Sequence, residues 1–308
     1  MARGVPAVNH CRRLRCSTAE QACDGEGRLT SDETYEVFAI RYGARSDWTR
    51  AKSYLNDANP NAADSIEYFF WVIRNANRTI VVDTGFDAET AARYNRTPFP
   101  DPTDLLANFG VKAAEVETVI VTHLHFDHVG ALPPYTTAKF HLQQADMVYA
   151  TGPDMKYDFL RFAYDRVHVS QMVERVHAAR VIFHDGDADI APGISLHRID
   201  GHCIGLQVVR VKTQRGWVVL ASDAAAYIEQ FADYRVSPAV VDAAAMLRGY
   251  DQLRELADSE DHIITGHDPL TSKLYPRVED VNAPVFKLHE APAQTIRHAI
   301  AAQKGAAK

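Results

Sequence analysis

The 308-residue sequence has few cysteines and no long apolar segment. Three of its four cysteines, Cys11, Cys16 and Cys23, lie near the amino terminus, which leaves Cys203 alone in the rest of the chain. One cysteine cannot form a disulfide framework, and this usage is typical of a reducing cytoplasm. No apolar run approaches the roughly 18 residues that a membrane-spanning helix requires. We therefore expect a cytoplasmic protein without a membrane segment.

Charge of a single sign is not concentrated anywhere in the sequence. The chain has 40 acidic and 33 basic residues, a net charge of −7, without a long block of either sign. Nucleic-acid binding proteins usually carry concentrated positive charge. We therefore expect no nucleic-acid partner.

The first thirty or so residues differ from the rest of the chain. They lack the apolar core of a secretory signal, and their Arg, Ser and Gly content with little periodicity is typical of a flexible tail. The three cysteines beside His10 could form a small zinc site, but their spacing matches no known ligand pattern, so spectator thiols are the simpler interpretation. We predict a tail over residues 1–32 and one domain over residues 33–308, a length ample for a buried core.

The densest set of metal-binding side chains is the segment Thr122–His128, THLHFDH, which directly follows a short apolar run. Where a strand leads into a loop, His123 and His125 lie on the same side and can bind one cation. Asp127 and His128, on the turn beyond, can reach a second. Imidazole and carboxylate ligands without thiolate suit zinc, and iron or manganese would also fit. The alternative is a polar surface loop, which leaves the further candidates downstream unexplained.

Three further candidates each follow an apolar, strand-like segment. His202 lies in a glycine-flanked turn, Asp223 follows the run WVVLAS, and His267 follows HIITG. A strand end holds a ligand on a rigid scaffold. Taken singly, His202 could be an ordinary turn residue and Asp223 a helix N-cap. Together with the histidine-rich segment, the three favour a metal site.

These motifs resemble those of a known family. The ordered set HLHFDH, GHCIG, ASDAA and TGHDP, preceded by IVVDTG at residues 80–85, is similar to the metallo-β-lactamase superfamily and, within it, to the N-acyl homoserine lactonase branch. The resemblance covers roughly residues 35–291. The branch-level likeness is carried by the Asp127-His128 pair with Asp223 and His267, and by the run GLQVVRV after the third histidine.

The resemblance implies a dinuclear site made of seven side chains. One divalent cation would be held by His123, His125 and His202. The other would be held by Asp127, His128 and His267, and Asp223 would bridge the two. Zinc is the expected metal, with iron, manganese or cobalt as alternatives. Members of the family often form homodimers, so a homodimer is a further expectation.

The resemblance also implies supporting roles for Asp83 and Tyr227. Asp83 would accept the free ring N–H of a ligating histidine and so fix its tautomer; the alternative is a turn-capping aspartate. A tyrosine after the bridging aspartate polarises the substrate carbonyl in the family. Here Tyr227 follows three alanines, so it either takes this role or only packs beneath the site. Cys203 stands where the family commonly has Thr or Ser, and we interpret it as a small buried filler.

Periodicity by itself predicts a mixed α/β protein. The predicted strands are Tyr35–Arg41, Tyr68–Arg74, Thr79–Val82, Thr118–Val121, Lys139–Leu142, Arg180–Phe183, Ile194–Ile199, Leu206–Val211 and Trp217–Ala221. Helical spacing follows Asp87 and recurs at residues 104–109 and 246–257. The aromatic-rich insert Met147–His177 predicts a helical flap that lines an acyl pocket, or a cover for one sheet. The resemblance adds an αββα sandwich, two mixed β-sheets packed face to face and flanked by helices.

These residues favour a metal-dependent hydrolase that opens a lactone ring. The expected small-molecule substrate is an N-acyl homoserine lactone, so the expected activity is quorum quenching. A hydroxide bridging the two cations would attack the carbonyl, Tyr227 and the metals would stabilise the oxyanion, and Asp127 or Asp223 would carry the proton to the departing alkoxide. A glutathione thioesterase is one alternative. A phosphodiesterase is another, although the sequence shows no evident phosphate-binding basic patch. A metal-binding module without turnover would normally lack a ligand, whereas here the full set is present.

Overall fold

The computed structural model of the protein describes residues 33–97 and 99–306. The predicted tail, with its three cysteines, lies outside the described residues. The strands are β1 (Glu36–Thr49), β2 (Ala63–Arg74), β3 (Thr79–Val82), β4 (Thr118–Ile120), β5 (Lys139–Gln143), β6 (Val181–His184), β7 (Ala188–Ala191), β8 (Ile194–Arg198), β9 (Gln207–Thr213), β10 (Gly216–Ser222), β11 (Ile263–Thr265) and β12 (Val285–Lys287).

The α-helices lie between the strands and at the carboxyl end. They are α1 (Arg50–Ser53), α2 (Ala88–Arg93), α3 (Pro102–Asn108), α4 (Phe126–Val129), α5 (Gln144–Ala150), α6 (Asp158–Arg161), α7 (Arg166–His177), α8 (Ile228–Asp233), α9 (Ala243–Leu256), α10 (Leu270–Leu274) and α11 (Ile296–Ala306). Capping explains where several begin: Asp87, for example, accepts a hydrogen bond from the Thr90 backbone N–H at 2.8 Å and starts α2. None of the described helices is both long and apolar enough to cross a membrane.

The strands form two mixed sheets. The first has the order β12-β1-β2-β3-β4-β5-β6, and the second has the order β11-β10-β9-β8-β7. In the first sheet β3, β4, β5 and β6 are parallel, and the remaining pairs are antiparallel. In the second sheet β10 and β11 are parallel, and the other pairs are antiparallel. The predicted arrangement of two mixed sheets with helices is confirmed.

The two sheets share one hydrophobic core. Residues 66–73 of β2 are all buried, so this strand is covered on both faces. A single cluster of buried apolar side chains includes residues from both sheets. Between the sheets, Gln207 donates its side-chain amide to the Val121 carbonyl at 2.8 Å, and its backbone N–H to the Thr122 carbonyl at 2.9 Å. These contacts hold the second sheet directly beneath the histidine-rich segment.

The predicted strands are present, and the two strands that differ most in extent are β1 and β2, since β2 begins at Ala63 and not at the predicted Tyr68. β1 continues to Thr49, beyond the predicted end at Arg41, and so includes Trp48. The short strands β7 and β12 were not predicted. Each has only three or four residues, too few for an alternating pattern to be recognised. The insert Met147–His177 is helical, as predicted, and contains most of α5 together with α6 and α7.

Candidate metal centre

The candidate ligands meet because two pairs of parallel strands end at the same place. β3 and β4 lie side by side and lead into Asp83 and the histidine-rich segment. β10 and β11 also run parallel and lead into Asp223 and His267. The carboxyl ends of parallel strands lie at one edge of a sheet. The edges of the two sheets are joined where the Glu67 backbone N–H donates to the His267 carbonyl at 3.0 Å.

Seven side chains converge at this junction in three overlapping groups. Within each group the candidate ligand atoms lie within 4.8 Å of one another. The first group is His123, His125 and His202, the second is His123, His128 and Asp223, and the third is Asp127, His128 and His267. The first and third groups coincide with the two ligand sets that the resemblance implies. The structure therefore brings all seven predicted ligands together, while their binding of metal stays a prediction.

The short distances in the first group describe a compact nitrogen cluster. Nδ1 of His125 lies 3.0 Å from Nε2 of His123 and 3.0 Å from Nε2 of His202. Asp223 lies between the two ligand sets, since its Oδ2 is 3.3 Å from His202 Nε2 and its Oδ1 is 3.1 Å from His267 Nε2. Each carboxylate oxygen thus faces a different set, which is the arrangement that a bridging ligand needs.

Two buried atoms indicate that the cluster is suited to cations. Nε2 of His128 and Oδ1 of Asp223 are inaccessible to solvent and make no well-formed hydrogen bond with the described residues, although His267 Nε2, another candidate ligand atom, lies 3.1 Å from Oδ1. The His128 and Asp223 atoms are 3.7 Å apart. A buried polar group without a partner costs about 1–3 kcal/mol, so an arrangement of this kind implies a missing partner. A divalent cation would satisfy both atoms, and the nitrogen and oxygen donors present are those that zinc accepts.

The second ring nitrogen of four candidate ligands is held by a neighbouring group. Nδ1 of His128 lies 2.7 Å from Asp83, Nδ1 of His202 lies 2.9 Å from the Ala239 carbonyl, Nδ1 of His267 lies 2.9 Å from the Glu67 carbonyl, and Nδ1 of His123 lies 3.1 Å from the Thr122 hydroxyl. A carbonyl or carboxylate oxygen accepts a hydrogen bond from the Nδ1–H group, so the proton stays on Nδ1 and the lone pair of Nε2 is directed at the cluster. This is the usual way in which a protein orients histidine ligands.

Asp83 occupies the supporting position that the sequence predicts. Its carboxylate is completely buried and accepts hydrogen bonds from the Thr122 backbone N–H and hydroxyl, both at 2.8 Å, and from His128 Nδ1 at 2.7 Å. Its backbone has φ of 61°, a left-handed conformation that is uncommon outside glycine. Asp83 thus links β3 to the start of the ligand loop. It also caps no helix among those described.

The electrostatics of the metal-free centre favour added positive charge. Burial lowers the pKa of His123 and His125 well below the usual value, so both rings are neutral. Burial also acts to lower the pKa of His128, but Asp127 and Asp83 outweigh it and raise the pKa to about 10. For Asp223, burial acts to raise the pKa, yet His267 and His202 hold it well below the ordinary value. The carboxylates therefore stabilise positive charge on the rings of His128 and His267, where a cation would supply that charge.

A cavity of about 440 Å³ opens onto the cluster. One wall carries His125, Asp127, His202, Asp223 and His267, and the remaining wall is mainly apolar, with Trp48, Ile66, Phe159, Phe162 and Pro238. Phe159 and Phe162 come from the helical insert and are exposed at the rim, which supports the predicted flap over the alternative of a sheet cover. Other aromatic residues of the insert pack beneath the ligand loop instead: the Tyr164 ring lies 4.6 Å from that of His125.

The family model for the metallo-beta-lactamase superfamily matches residues 68–267 of the chain. The chain belongs to this superfamily. Its most similar curated relatives include the N-acyl homoserine lactonase of Bacillus cereus, which is 25% identical over 165 residues, 53% of this chain and 60% of the relative. N-acyl homoserine lactonase AttM of Rhizobium johnstonii is 27% identical over 173 residues, 54% of this chain and 63% of the relative. The chain thus spans about 60% of the length of these relatives.

Solved structures of the superfamily have the same fold. A quorum-quenching N-acyl homoserine lactone lactonase superimposes with a TM-score of 0.65 at 21% identity, over 78% of this chain and 95% of that chain. AidC, described as a dizinc quorum-quenching lactonase in complex with a product, gives a TM-score of 0.61 at 15% identity, over 76% of this chain and 88% of that chain. At these identities the similarity establishes the superfamily fold alone.

Several residues at the site were not identified from the sequence. Asp146, completely buried, accepts hydrogen bonds from the Leu124 backbone N–H at 2.7 Å and the Tyr164 hydroxyl at 2.9 Å, and so braces the loop between His123 and His125. Burial raises its pKa to about 8. In sequence it is only an acid in the first turn of a helix, a common exposed position. Lys52 and Arg96, which line the cavity, belong to no motif either.

Tyr227 lines the cavity, and Cys203 does not reach it. Tyr227 is buried, and its hydroxyl donates to the Ser65 carbonyl at 3.3 Å. Burial raises its pKa well above the ordinary value, so the hydroxyl stays protonated. Cys203 is completely buried at the border of the hydrophobic core, beside the Tyr164 hydroxyl, which agrees with its interpretation as a small buried filler. Tyr227 therefore borders the cavity with a protonated hydroxyl that lies beside Ser53 and Ser65, and its role in polarising a carbonyl stays a prediction.

Proposed function

We propose that this chain is a metal-dependent hydrolase that opens a lactone ring, and that its substrate is an N-acyl homoserine lactone. The observation that carries the proposal is the convergence of seven histidine and aspartate side chains, all buried except the partly exposed Asp127, beside a cavity that five of them line and whose remaining lining is mainly apolar. A compact polar ring attached to an apolar acyl chain fits such a cavity. The names of the two curated relatives support this substrate class.

In this proposal His123, His125 and His202 hold one divalent cation, Asp127, His128 and His267 hold a second, and Asp223 bridges them. The cluster contains no thiolate, which favours zinc, with iron, manganese or cobalt as alternatives. Bound divalent cations would supply a water of lowered pKa and electrophilic assistance to a carbonyl oxygen.

The side chains of the protein then have three tasks. Asp127 lines the cavity, and its carboxylate is placed to accept a proton from the nucleophilic water and return it to the departing alkoxide; Asp223 shares this task. Tyr227 would turn its hydroxyl hydrogen from the Ser65 carbonyl to the oxygen on which negative charge develops, and its raised pKa keeps that hydrogen in place. The apolar wall binds the acyl chain and excludes water from the reacting groups.

A phosphodiester is the second candidate substrate. The sequence shows no basic patch, but the fold brings Lys52 and Arg96 to the cavity wall. Nε of Arg96 is buried and has no hydrogen-bond partner among the described residues, so the guanidinium is available to an anionic ligand. The apolar character of the opposite wall favours the acylated lactone over this alternative.

The test combines metal analysis with a substrate panel. The purified protein, loaded with Zn²⁺ or Mn²⁺, is assayed with acyl homoserine lactones, a glutathione thioester and a phosphodiester, and its metal content is measured. We expect two equivalents of metal and selective lactone opening. His125→Ala should abolish activity, whereas His298→Ala, which changes an exposed histidine in the first turn of α11, should have no effect. Preference for the thioester or phosphodiester would refute the lactonase proposal, and wild-type activity in His125→Ala would refute the metal centre.

The proposal includes three further expectations that rest on the sequence. Residues 33–308 would form the hydrolase domain. The single cysteine of this domain suits a reducing compartment such as the cytoplasm. A homodimer is expected by analogy with the superfamily, and size-exclusion chromatography with light scattering would measure it.

A further inference from the structure

Tyr227 stands in the wall between two cavities. On one side is the cavity of the metal centre, and on the other is a second cavity of about 950 Å³. A side chain in such a wall has open space on both sides, so close packing alone does not fix it. Its hydroxyl lies beside the Ser53 side chain and donates to the Ser65 carbonyl over a long distance, 3.3 Å. The contacts that its ring makes on the side of the second cavity therefore also bear on its orientation.

Tyr54 supplies a contact on that side. It is buried, its ring centroid lies 5.7 Å from that of Tyr227, and it lines the second cavity without reaching that of the metal centre. Two guanidinium groups lie over the Tyr54 ring: that of Arg50 is 4.5 Å from the ring centroid, and that of Arg235 is 4.6 Å from it. Cations at these distances are attracted to the face of an aromatic ring.

The two guanidinium groups are themselves fixed by carboxylates. Arg50 makes a bidentate pair with Glu229 at 3.1 and 3.0 Å and contacts Asp57 at 3.0 Å, while Arg235 contacts Asp57 at 2.7 Å. The Asp57 and Glu229 side chains are almost fully buried. Glu229 belongs to α8, which begins directly after Tyr227, so the network is tied to the backbone that carries the tyrosine. Two arginines face the two carboxylates, and Lys304 Nζ lies 4.0 Å from Glu229, so both carboxylates are paired with cations of the protein itself.

We propose that Tyr54, held by Arg50 and Arg235, is the positioning residue for Tyr227, and that it sets the turnover rate without contacting the substrate. This inference rests on the role of Tyr227 as a hydrogen-bond donor in the proposed function. Without the Tyr54 ring, Tyr227 could turn toward the larger cavity and withdraw its hydroxyl from the reacting carbonyl. The loss would fall on kcat, because an interaction made mainly in the transition state is weakened.

The experiment measures kcat and KM for Tyr54→Leu and Tyr54→Phe, each in the wild-type and the Tyr227→Phe background, on zinc-loaded protein. We expect Tyr54→Leu to lower kcat five- to twentyfold with KM within twofold, and Tyr54→Phe, which keeps the ring, to behave as wild type. In the Tyr227→Phe background Tyr54→Leu should change kcat less than twofold, because the group that it positions is already lost. Equal losses in both backgrounds, or equal damage from Leu and Phe, would overturn the proposal.

Two controls keep the result interpretable. If Tyr54→Leu fails to fold, Arg235→Met removes one guanidinium and keeps its alkyl stem, and the same coupling to Tyr227→Phe is expected. Arg74→Met is the matched control, since Arg74 also lies over aromatic rings, 4.7 Å from both Phe38 and Phe109, but at the far end of β2. Its kcat should equal that of wild type. If the wild type opens no lactone, the proposed function fails, and the same set of Tyr54 and Tyr227 variants is then assayed with a p-nitrophenyl ester. Absence of all hydrolysis would overturn both the proposed function and the role of Tyr54.

Discussion

Replacing Asp83 by asparagine tests whether the second metal position depends on the group behind it. The two residues have the same shape, and the asparagine carbonyl can still accept from the Thr122 backbone N–H, which donates to Asp83 at 2.8 Å. Its amide nitrogen, however, is a donor and would face Nδ1 of His128, 2.7 Å away in the wild type. The His128 proton must then move to Nε2, the atom that faces the cluster, where it blocks coordination.

The expected loss follows from the contact with His128, although the same carboxylate oxygen also accepts from the Thr122 hydroxyl. Removing a group that orients a metal ligand typically costs 10- to 100-fold in metal affinity, about 1.4–2.8 kcal/mol. Because Asp83 contacts His128 and not His125 or His202, the loss should fall on one of the two zinc equivalents. Competition titration of the metal-free protein against a chromophoric chelator resolves the two dissociation constants. Asp101→Asn, the same change at the cap of α3, is the control and should bind both equivalents as wild type.

The metal-free protein gives an independent readout of the same change. The pKa of His128 is raised to about 10 in the folded state, against an ordinary value of 6.5. A raised pKa contributes stability that is fully present below pH 6.5 and is lost as the pH rises through about 10. Asp83→Asn removes a cause of this shift, so it should cost more unfolding free energy at pH 6 than at pH 10. Wild-type affinity for both zinc equivalents in a folded Asp83→Asn protein would refute the assigned role of Asp83.

Three further predictions concern other parts of the site. The pKa of Asp146 is raised to about 8, so the stability of the wild type falls as the pH rises from about 4 through 8. The unfolding free energy of Asp146→Asn relative to wild type should therefore increase between pH 5.5 and pH 9. A difference that stays constant over this range would contradict the prediction. A Cβ atom at Gly266 would lie 2.5 Å from Oδ1 of Asp223, so Gly266→Ala should displace that carboxylate and weaken zinc binding at least tenfold in a calorimetric titration. Phe162 is 55% exposed, so Phe162→Ala should change stability by less than about 0.5 kcal/mol. If its ring covers two methylenes of an acyl chain, at about 0.8 kcal/mol each, KM should rise about tenfold for a decanoyl lactone and stay unchanged for a butanoyl lactone.

The sequence predicts the ligands well because each of them marks the end of a regular element. His123, Asp223 and His267 follow short apolar runs whose strand character is visible in the sequence, and the histidine spacing of the loop is itself a signal. The core strands are predicted for the same reason. Residues whose importance arises from contacts between distant segments have no such signal. Asp146 acts on the ligand loop through Tyr164, and Arg96 reaches the cavity from a loop after α2.

The same reasoning explains why the walls of the cavity could be anticipated only in part. The insert Met147–His177 is rich in aromatic residues, but the sequence does not distinguish those that face the cavity from those that pack under it. Phe162 lies at the rim with most of its ring exposed, whereas Tyr149 is buried. The two are separated by a turn and a short helix, so no single helical period connects them. Tertiary packing decides which of these side chains faces the cavity. It also brings Trp48, from β1, to the cavity.

The backbone at the junction of the two sheets carries strain at two positions. Asp83 and Ser222, both non-glycine residues with positive φ of 61° and 46°, end the strands β3 and β10 that deliver ligands from opposite sheets. Each such residue costs about 1–3 kcal/mol and persists only where its surroundings fix it. Here the Thr122 hydroxyl fixes both, at 2.8 Å from the Asp83 carboxylate and 3.0 Å from the Ser222 hydroxyl. If either residue relaxed to a negative φ, its contact with the Thr122 hydroxyl would break and one ligand set would move away from the other. The strained residues therefore lie where the two ligand sets are aligned.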